Sequence, residues 1–355
     1  MSGQVLALIP AHNEEKIVGQ AVGALGEQVR RPERIVVVAD NCTDSTVPLA
    51  RAMGAEVFET TGNTHKKAGA LNQALNHFLP ELDDDDFIFV QDADSVIFTD
   101  FMANALAWFG RRRNLGALGG TFRALPASED AGTWERVLWR VQDNEYARYQ
   151  RDVERLRGKC LVVTGTAALF RVSTLRHIKA ERGRRLPNGG GEYYDTTVLT
   201  EDNEISFAIM HLGYDILAPH DCLLKTEAMP TLRELYNQRL RWKRGAVENC
   251  VQYGLTRITL PYWGRQILTM AGVIVTALYL GTLVWAALGG GLTIHPFWLW
   301  ITGIFVVERF VTVSRKGLGE QLLAATMWEI PFEIFLQAVH ADAYLRAVTR
   351  QQKAW

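Results

Sequence analysis

The 355-residue chain contains few cysteines and carries almost no net charge. Its four cysteines lie far apart, without the spacing of a metal site or of a disulfide framework, which is typical of a reducing compartment. The formal net charge of −1 gives no electrostatic basis for binding a nucleic acid. We therefore expect neither a disulfide-stabilised protein nor a nucleic-acid partner.

The chain also lacks a glycine-rich turn after its first apolar strand. Strands predicted at residues 5–9, 34–39, 55–58 and 87–90 alternate with helices, the rhythm of an α/β fold with a mostly parallel sheet. A dinucleotide-binding oxidoreductase with such a sheet needs a Gly-x-Gly-x-x-Gly turn after the first strand. The turn here is Pro10-Ala11-His12-Asn13-Glu14, which excludes that function.

Charge is missing from a long stretch near the carboxyl end. Residues 267–288 carry no charged side chain, and a helix of this length covers about 33 Å, enough for a hydrocarbon core of roughly 30 Å. A second apolar run, 296–313, is interrupted by Glu308 and Arg309, which we expect to snorkel to the membrane surface. These patterns predict membrane spans at about residues 266–288 and 296–313.

The flanks of these runs predict the orientation of the chain. Arg257 and Arg265 precede the first run, and Arg315 and Lys316 follow the second, so the positive-inside rule predicts that both outer ends are cytoplasmic. Residues at about 320–350 contain Pro331 and several carboxylates, and they predict an interfacial or re-entrant helix pair kinked at that proline. We expect a cytoplasmic catalytic domain over residues 1–255 and a membrane domain over 256–355.

Two carboxylates, Asp92 and Asp94, follow the fourth predicted strand. Carboxylates this close repel each other unless a cation lies between them, and hard oxygen ligands suit Mg²⁺ or Mn²⁺. Ligands of parallel sheets bind beyond the carboxyl ends of the strands, where Glu14, Asp40 and Lys67 also fall. The sequence therefore predicts one polar crevice at this edge of the sheet.

A predicted helix near residue 231 carries a second group of polar side chains. Gln238, Arg241 and Trp242 share one helix face, and an amide, a guanidinium and an indole together suit a phosphorylated sugar. Trp242 could equally belong to the core or to a membrane interface. Glu201 and Asp202 open an earlier helix, where the helix dipole alone would explain them.

The order of five motifs resembles family 2 glycosyltransferases. Over residues 4–250 the chain is similar to the membrane-bound branch that contains the cellulose, chitin, hyaluronan and poly-N-acetylglucosamine synthases. The resemblance rests on the following motifs: Pro10-Ala11-His12-Asn13-Glu14 with Asp40, Lys67-Ala68-Gly69-Ala70-Leu71-Asn72, Asp92-Ala93-Asp94, Thr200-Glu201-Asp202 and Gln238-Arg239-Leu240-Arg241-Trp242.

The resemblance implies the GT-A fold, a UDP-sugar donor and a Mn²⁺ or Mg²⁺ cofactor. It also implies roles for particular residues. Residues 162–171 are predicted as a loop between buried segments, and within it Thr164, Gly165 and Thr166 resemble the acceptor-side loop of the family. The implied residues are Ala11, Glu14, Asp40, Lys67, Asp92 and Arg241 for the donor nucleotide, Asp94 with Asp92 for the metal, Asp202 as general base, and Thr164, Gly165, Thr166, Glu201, Gln238 and Trp242 for the acceptor.

The implied reaction is inverting transfer of a sugar to a hydroxyl of a glycan, lipid or protein, forming a β-glycosidic bond. Polymerising relatives carry more apolar spans, so we expect either a homo-oligomer or the addition of one or a few sugars. Two alternatives remain. A polyprenyl-phosphate glycosyltransferase usually lacks the Gln-x-x-Arg-Trp motif, and a silent membrane scaffold would not need Asp94, Asp202 and Trp242 together.

Overall fold

The computed structural model describes residues 3–289, 291 and 296–349. Within these residues, strands and helices alternate in the amino-terminal part, and long helices follow. The strands are β1 (Val5–Ala11), β2 (Arg34–Ala39), β3 (Glu56–Glu59), β4 (Phe87–Gln91), β5 (Ser95–Ile97), β6 (Leu115–Gly119), β7 (Thr121–Ala124), β8 (Ala167–Arg171), β9 (Asp215–Leu217) and β10 (Leu223–Thr226). The helices are α1 (Val18–Gly26), α2 (Thr46–Ala52), α3 (Lys66–Phe78), α4 (Phe101–Arg111), α5 (Thr133–Arg155), α6 (Val172–Glu181), α7 (Glu201–His211), α8 (Leu232–Tyr253), α9 (Leu260–Gly289), α10 (Pro296–Thr312), α11 (Leu318–Ala325) and α12 (Ile330–Val348).

The larger sheet has the strand order β3-β2-β1-β4-β8-β6-β9. Its neighbours pair in parallel except at β8, which runs antiparallel to both β4 and β6. The predicted α/β fold with a mostly parallel sheet is confirmed. Residues 167–171, predicted as part of a loop, instead form β8, because their apolar side chains are buried between β4 and β6.

A smaller sheet, in the order β5-β10-β7, lies beside the carboxyl end of β4. Strand β10 is antiparallel to β5, and Thr226 pairs with Ser95. The next residues along this register are Glu227 and Asp94, so the small sheet brings a third carboxylate to the pair that follows β4.

Helices α9 and α10 are apolar and largely exposed, whereas α12 buries Phe332, Leu336 and Val339. Within the described ranges, α9 is the one unbroken helix that is long and apolar enough to cross a membrane, and none of its most apolar stretch is buried. Helix α10 has 17 residues. Helices α11 and α12 are apolar enough when taken together, and they meet at an angle of 67°. The bend lies at residues 326–329, before Pro331, because that proline occupies the first turn of α12, where its missing N–H costs no hydrogen bond.

Arg309 does not reach outward to solvent, contrary to our expectation. Its guanidinium lies 3.1 Å from Glu329 and 2.8 Å from Glu333, both at the start of α12. Arg148 of α5 lies 2.7 Å from the same Glu329. Arg309 turns inward because these carboxylates are close, and the resulting charge cluster joins α5, α10 and α12.

Candidate active site

Two adjoining cavities open at the carboxyl ends of the central strands. The first, of about 540 Å³, lies over the ends of β1, β2 and β4, and the second, of about 360 Å³, lies between β4, α7 and α8. Both cavities are lined by Lys66, Lys67, Asp92 and Asp94. A ligand that fills both would therefore pass directly over the two aspartates.

The residues that the sequence singled out all line one or both of these cavities. Apart from those shared by both, Ala11, Glu14 and Asp40 line the first cavity. The second cavity is lined by Thr164, Gly165, Thr166, Glu201, Asp202, Gln238, Arg241 and Trp242. The structure thus brings the predicted residues together, while their individual roles remain predictions.

Asp40, at the end of β2, is a fixed hydrogen-bond acceptor in the first cavity. Its Oδ1 accepts hydrogen bonds from Thr60 Oγ1 at 2.7 Å, Asn63 Nδ2 at 2.9 Å and Asn41 Nδ2 at 3.1 Å. The residue is 8% exposed. Three protein donors on one oxygen fix the orientation of the carboxylate. A fixed polar group of this kind can orient a bound ligand in the cavity.

Lys67, in the first turn of α3, carries the central positive charge. Its ammonium forms an ion pair with Asp92, lies 3.5 Å from Glu201 and donates to the carbonyl of Gly165 at 3.3 Å. Burial by itself lowers the pKa of Lys67, but Asp92 and Glu201 outweigh it and raise that pKa above its usual value. The side chain therefore stays charged and links the two cavities.

Four carboxylates lie around the junction of the two cavities: Asp92 and Asp94 line both cavities, Glu14 lines the first and Glu227 lines the second. Burial raises the pKa of Asp92 to about 6, although Lys67 opposes the shift. Burial also raises the pKa values of Asp94 and Glu14; Glu227 adds to both shifts, and Asp94 adds to that of Glu14. The site therefore carries a surplus of negative charge, and a bound cation would reduce the repulsion between the carboxylates.

This carboxylate group fits a hard divalent cation shared with a substrate. Asp94 accepts a hydrogen bond from Ser95 Oγ at 3.0 Å and forms no ion pair within the described ranges. No cluster of three or more His, Cys, Asp or Glu side chains in those ranges is arranged to hold a metal by itself. Mg²⁺ and Mn²⁺ suit oxygen ligands, and Mg²⁺ is commonly held by one or two carboxylates plus substrate phosphates.

Asp202, at the start of α7, is held by two backbone donors. Its Oδ2 accepts from the N–H of Gly165 at 3.1 Å, and its Oδ1 accepts from the N–H of Asn203 at 2.8 Å. Burial, and then repulsion from Glu201, raises the pKa of Asp202 to about 6. A carboxylate with this pKa in an open cavity has the properties of a general base near neutral pH.

The loop at Gly165 approaches these side chains closely. A Cβ added there would lie 2.9 Å from the ammonium of Lys67 and 3.5 Å from the Cβ of Asp202. A side chain at this position would displace the Lys67 ammonium from its contact with the Gly165 carbonyl, so glycine favours the observed arrangement.

Helix α8 presents Gln238, Arg241 and Trp242 to the second cavity, while Arg239 points away from it. The guanidinium of Arg239 donates to Glu145 at 2.7 Å and to the side-chain oxygen of Gln238 at 2.7 Å. It also stacks on the Trp242 ring at 4.5 Å. Arg239 therefore fixes two of the three cavity-lining side chains from behind.

Sequence reasoning missed Glu227 and Arg239. Glu227 follows a four-residue strand and belongs to no motif, and only the pairing of β10 with β5 reveals that it lies beside Asp94. Arg239 lies inside a recognised motif, but its importance depends on Glu145 of α5, which is 94 residues away in the chain.

Comparisons with known proteins agree with this geometry. A family model described as "Glycosyltransferase like family 2" matches residues 3–245. Two poly-beta-1,6-N-acetyl-D-glucosamine synthases are similar in sequence. The one from Staphylococcus epidermidis is 24% identical over 247 residues, which are 68% of this chain and 54% of that protein. The one from Staphylococcus aureus (strain COL) is 23% identical over 286 residues, which are 77% of this chain and 63% of that protein. The chain thus spans less than two thirds of the length of either relative.

Among solved structures, the mannosyltransferase PcManGT from Pyrobaculum calidifontis, in complex with GDP-Man and Mn²⁺, has a TM-score of 0.64. It is 19% identical, and the match covers 98% of this chain and 88% of that one. At this identity the likeness establishes the shared fold. The family match over residues 3–245, together with this fold, shows that the chain belongs to glycosyltransferase family 2 and has the GT-A fold.

Proposed function

We propose that this glycosyltransferase is attached to a membrane and transfers a sugar, with inversion, from a UDP-sugar to an acceptor hydroxyl. The observation that carries the proposal is the pair of adjoining cavities that meet at Lys67, Asp92 and Asp94. One cavity suits a nucleotide, the other suits two sugars, and the diphosphate would lie at their junction.

The first cavity has the features of a nucleotide site. Ala11 and Glu14 form one wall, and Asp40 offers a fixed acceptor to a donor on the base. Lys67 would meet the diphosphate, and Arg241 would meet it from the second cavity. Asp94, supported by Asp92 and Glu227, would hold Mn²⁺ or Mg²⁺, which would neutralise the diphosphate charge.

In the reaction that we propose, Asp202 takes the proton from the acceptor hydroxyl. The acceptor oxygen then attacks the anomeric carbon on the face opposite the diphosphate, and the bond from that carbon to the diphosphate oxygen breaks. Lys67 and Arg241 stabilise the charge that develops on the leaving group. Trp242 stacks on the acceptor sugar, while Gln238, Glu201 and the loop Thr164-Gly165-Thr166 offer hydrogen-bonding groups.

Membrane attachment is supported by the carboxyl-terminal helices. Helix α9 exposes large apolar side chains along its length, among them Leu278, Leu283, Trp285 and Leu288. Exposing this apolar surface to water is unfavourable, whereas contact with lipid chains is favourable. The basic residues that flank α9 and α10 favour a cytoplasmic position for the catalytic domain.

Similar proteins suggest which donors to test first. The two curated relatives are named as synthases of a poly-β-1,6-N-acetylglucosamine, which favours UDP-N-acetylglucosamine as the donor and a β-linked sugar as the product. The similar solved structure holds GDP-Man, so GDP-mannose belongs in the same panel.

Release of the nucleotide diphosphate from a donor panel tests the proposal. The detergent-purified chain is incubated with UDP- and GDP-sugars and Mn²⁺ or Mg²⁺, with Asp94→Ala and Asp202→Asn beside the wild type. The proposal predicts release from one donor, and loss of that release in both variants. Asp215→Asn, at an exposed position on β9, is the matched control and should behave as wild type.

If no donor released its nucleotide diphosphate, titration of the protein with UDP and with GDP in the presence of Mn²⁺ would show the reason. Binding would point to a missing acceptor, and the donor panel would then be repeated with glycan and lipid acceptors. Absence of binding would contradict the proposal and favour a scaffold that has kept the fold without its chemistry.

A further inference from the structure

A third cavity, of about 560 Å³, lies outside the active site, between α5, β7 and the segment that follows α10. It is lined by five cationic side chains and two carboxylates, a surplus of three positive charges. The charged residues are Arg123 on β7, Asp143, Arg151, Glu154 and Arg155 on α5, and Arg315 and Lys316 after α10.

Part of this charge is neutralised within the protein. Lys316 lies 2.5 Å from Asp143, and Arg315 forms an ion pair with Glu154. Arg151 donates hydrogen bonds to the carbonyl of Val311 and, at 3.4 Å, to Ser314 Oγ, so it joins α5 to the segment after α10. In these contacts, both carboxylates of the cavity are paired with a cationic side chain.

Arg123 and Arg155 supply two of the three remaining positive charges, and Arg151 supplies the third. Neither Arg123 nor Arg155 forms an ion pair within residues 3–289, 291 and 296–349, and both are exposed. A guanidinium presents paired N–H donors that match the oxygens of a phosphate better than those of any neutral group. The cavity therefore has both the volume and the charge to hold a phosphate-containing anion.

This cavity is separated from the active site by a shared wall. Phe122 and Tyr146 line the second active-site cavity, whereas their neighbours Arg123 and Ala147 line this one. Strand β7 and helix α5 thus stand between the two spaces. None of the residues proposed to bind donor, acceptor or metal lines the third cavity, so its ligand is not the reacting group.

The position of the cavity indicates where its ligand comes from. Residues 312–316 line it; they comprise the last residue of α10 and the segment directly after it, and the exposed apolar side chains of α10 include Ile304, Phe305 and Val307. If α10 enters the membrane as proposed, the cavity lies at the height of the lipid headgroups. Basic pockets at this depth attract anionic lipids.

We propose that this cavity binds the phosphodiester headgroup of an anionic phospholipid and holds the catalytic domain against the membrane surface. The inference rests on the proposed membrane attachment and not on the identity of the donor or acceptor. The lipid would bridge Arg123 and Arg155 on the catalytic domain to the headgroup layer beside α10.

Lipid binding to the full chain in a neutral detergent tests the proposal. Short-chain phosphatidylglycerol, short-chain phosphatidylcholine and inorganic phosphate are titrated separately, with retained lipid counted by native mass spectrometry and the thermal unfolding midpoint recorded. The double variant Arg123→Ala/Arg155→Ala is compared with Arg112→Ala/Arg113→Ala, which removes the same charge from an exposed site after α4.

We expect phosphatidylglycerol to bind the wild type and the control variant more tightly than phosphatidylcholine. The Arg123→Ala/Arg155→Ala variant should lose roughly 30-fold in its affinity for phosphatidylglycerol. Equal binding by this variant and the wild type would overturn the proposal. Phosphate that stabilises the wild type as well as phosphatidylglycerol does would also overturn it, because the site would then serve a soluble anion.

Nucleotide release, measured on the same samples without lipid, separates this inference from the proposed function. The Arg123→Ala/Arg155→Ala variant should release nucleotide as the wild type does. Lipid discrimination by a protein that neither releases nor binds a nucleotide diphosphate in the presence of Mn²⁺ would contradict the enzymatic proposal alone. Nucleotide release without lipid discrimination would contradict the lipid site alone.

Discussion

The active-site crevice and the cluster beneath the carboxyl-terminal helices both remove carboxylates from water, but they balance charge differently. In the cluster, Glu329 is 3% exposed and is matched by Arg148 at 2.7 Å, Arg309 at 3.1 Å and the amide of Asn144 at 2.6 Å. In the crevice, Asp92 is the one of the four carboxylates that forms an ion pair among the described residues, and its partner is Lys67.

The difference distinguishes a structural use of charge from a chemical one. A buried carboxylate that is fully paired holds helices in register, and removing it leaves its partners without compensation. Carboxylates that repel one another at a cavity mouth destabilise the empty site. Binding of a cation, or protonation of one carboxylate, removes that repulsion. Substitutions in the crevice should therefore change activity, and substitutions in the cluster should change stability.

The largest expected effect on activity comes from Asp202→Asn. The amide keeps the shape of the side chain but cannot accept the acceptor proton, so glycosyl transfer should fall by about 10²–10⁴-fold. Thermal stability should not fall, because the variant removes a buried charge beside Glu201. Transfer kinetics and the unfolding midpoint check both statements. A substitution that takes no part in the reaction should change the rate by no more than about threefold. A change that small in Asp202→Asn would exclude Asp202 as the base.

The converse substitution is Glu329→Gln. It removes the buried carboxylate between Arg148 and Arg309 and leaves them the more exposed Glu333, so we expect a loss of about 3 kcal/mol of stability. Nucleotide release per folded molecule should stay unchanged, because the cluster does not line the crevice. Glu308→Gln is the matched control: that side chain is 44% exposed and 3.4 Å from the same Arg309, so its loss should cost less than about 1 kcal/mol. If the Glu329→Gln protein were inactive but as stable as the wild type, the distinction between a structural cluster and a chemical crevice would be wrong.

Glu227→Gln tests whether the carboxylate supplied by the small sheet supports the cation. We expect roughly 10–100-fold weaker apparent affinity for Mn²⁺ with little change at saturating Mn²⁺, as for groups that support a metal ligand. The measurement is nucleotide release as a function of Mn²⁺ concentration. Glu234→Gln, in the first turn of α8, provides the control. Coincident Mn²⁺ curves for Glu227→Gln and wild type would remove Glu227 from the site.

Acidification should separate activity from stability within the crevice. Since the pKa of Asp202 is raised to about 6, transfer should fall about tenfold between pH 7 and pH 5 as the base becomes protonated. For stability the sign is opposite. The folded carboxyls of Asp92 and Asp202 hold protons more tightly than an unfolded chain does, so their contribution is greatest below about pH 4 and is lost as the pH rises through about 6. Thermal midpoints and rates at matched pH values test the two directions, and a rate that increased on acidification would contradict the assignment.

The sequence predicts the parts of the active site that local pattern governs. The strand 87–91 and the aspartates that follow it are local features, as are the first turns of α3 and α7. Because parallel strands end at one edge of a sheet, the sequence alone also predicts that Glu14, Asp40 and Lys67 converge there.

The features that the sequence does not predict depend on long-range pairing. Strand β8 is as long as β4, but its place in the sheet is set by its two antiparallel neighbours, and Glu227 reaches Asp94 only through the small sheet. The sequence pattern favours a snorkelling Arg309 because its partners, Glu329 and Glu333, come from another helix. The same pattern puts the bend between α11 and α12 at Pro331, although that proline starts the second helix.

The most direct test of the central claim is the binding of UDP and GDP by calorimetry, with and without Mn²⁺, to wild type and Asp94→Asn. If the crevice is a nucleotide-diphosphate site completed by a cation, Mn²⁺ should tighten the binding of one nucleotide by about tenfold or more in the wild type. In Asp94→Asn this gain should disappear. Equal binding with and without Mn²⁺ in the wild type, or an undiminished gain in Asp94→Asn, would contradict the account.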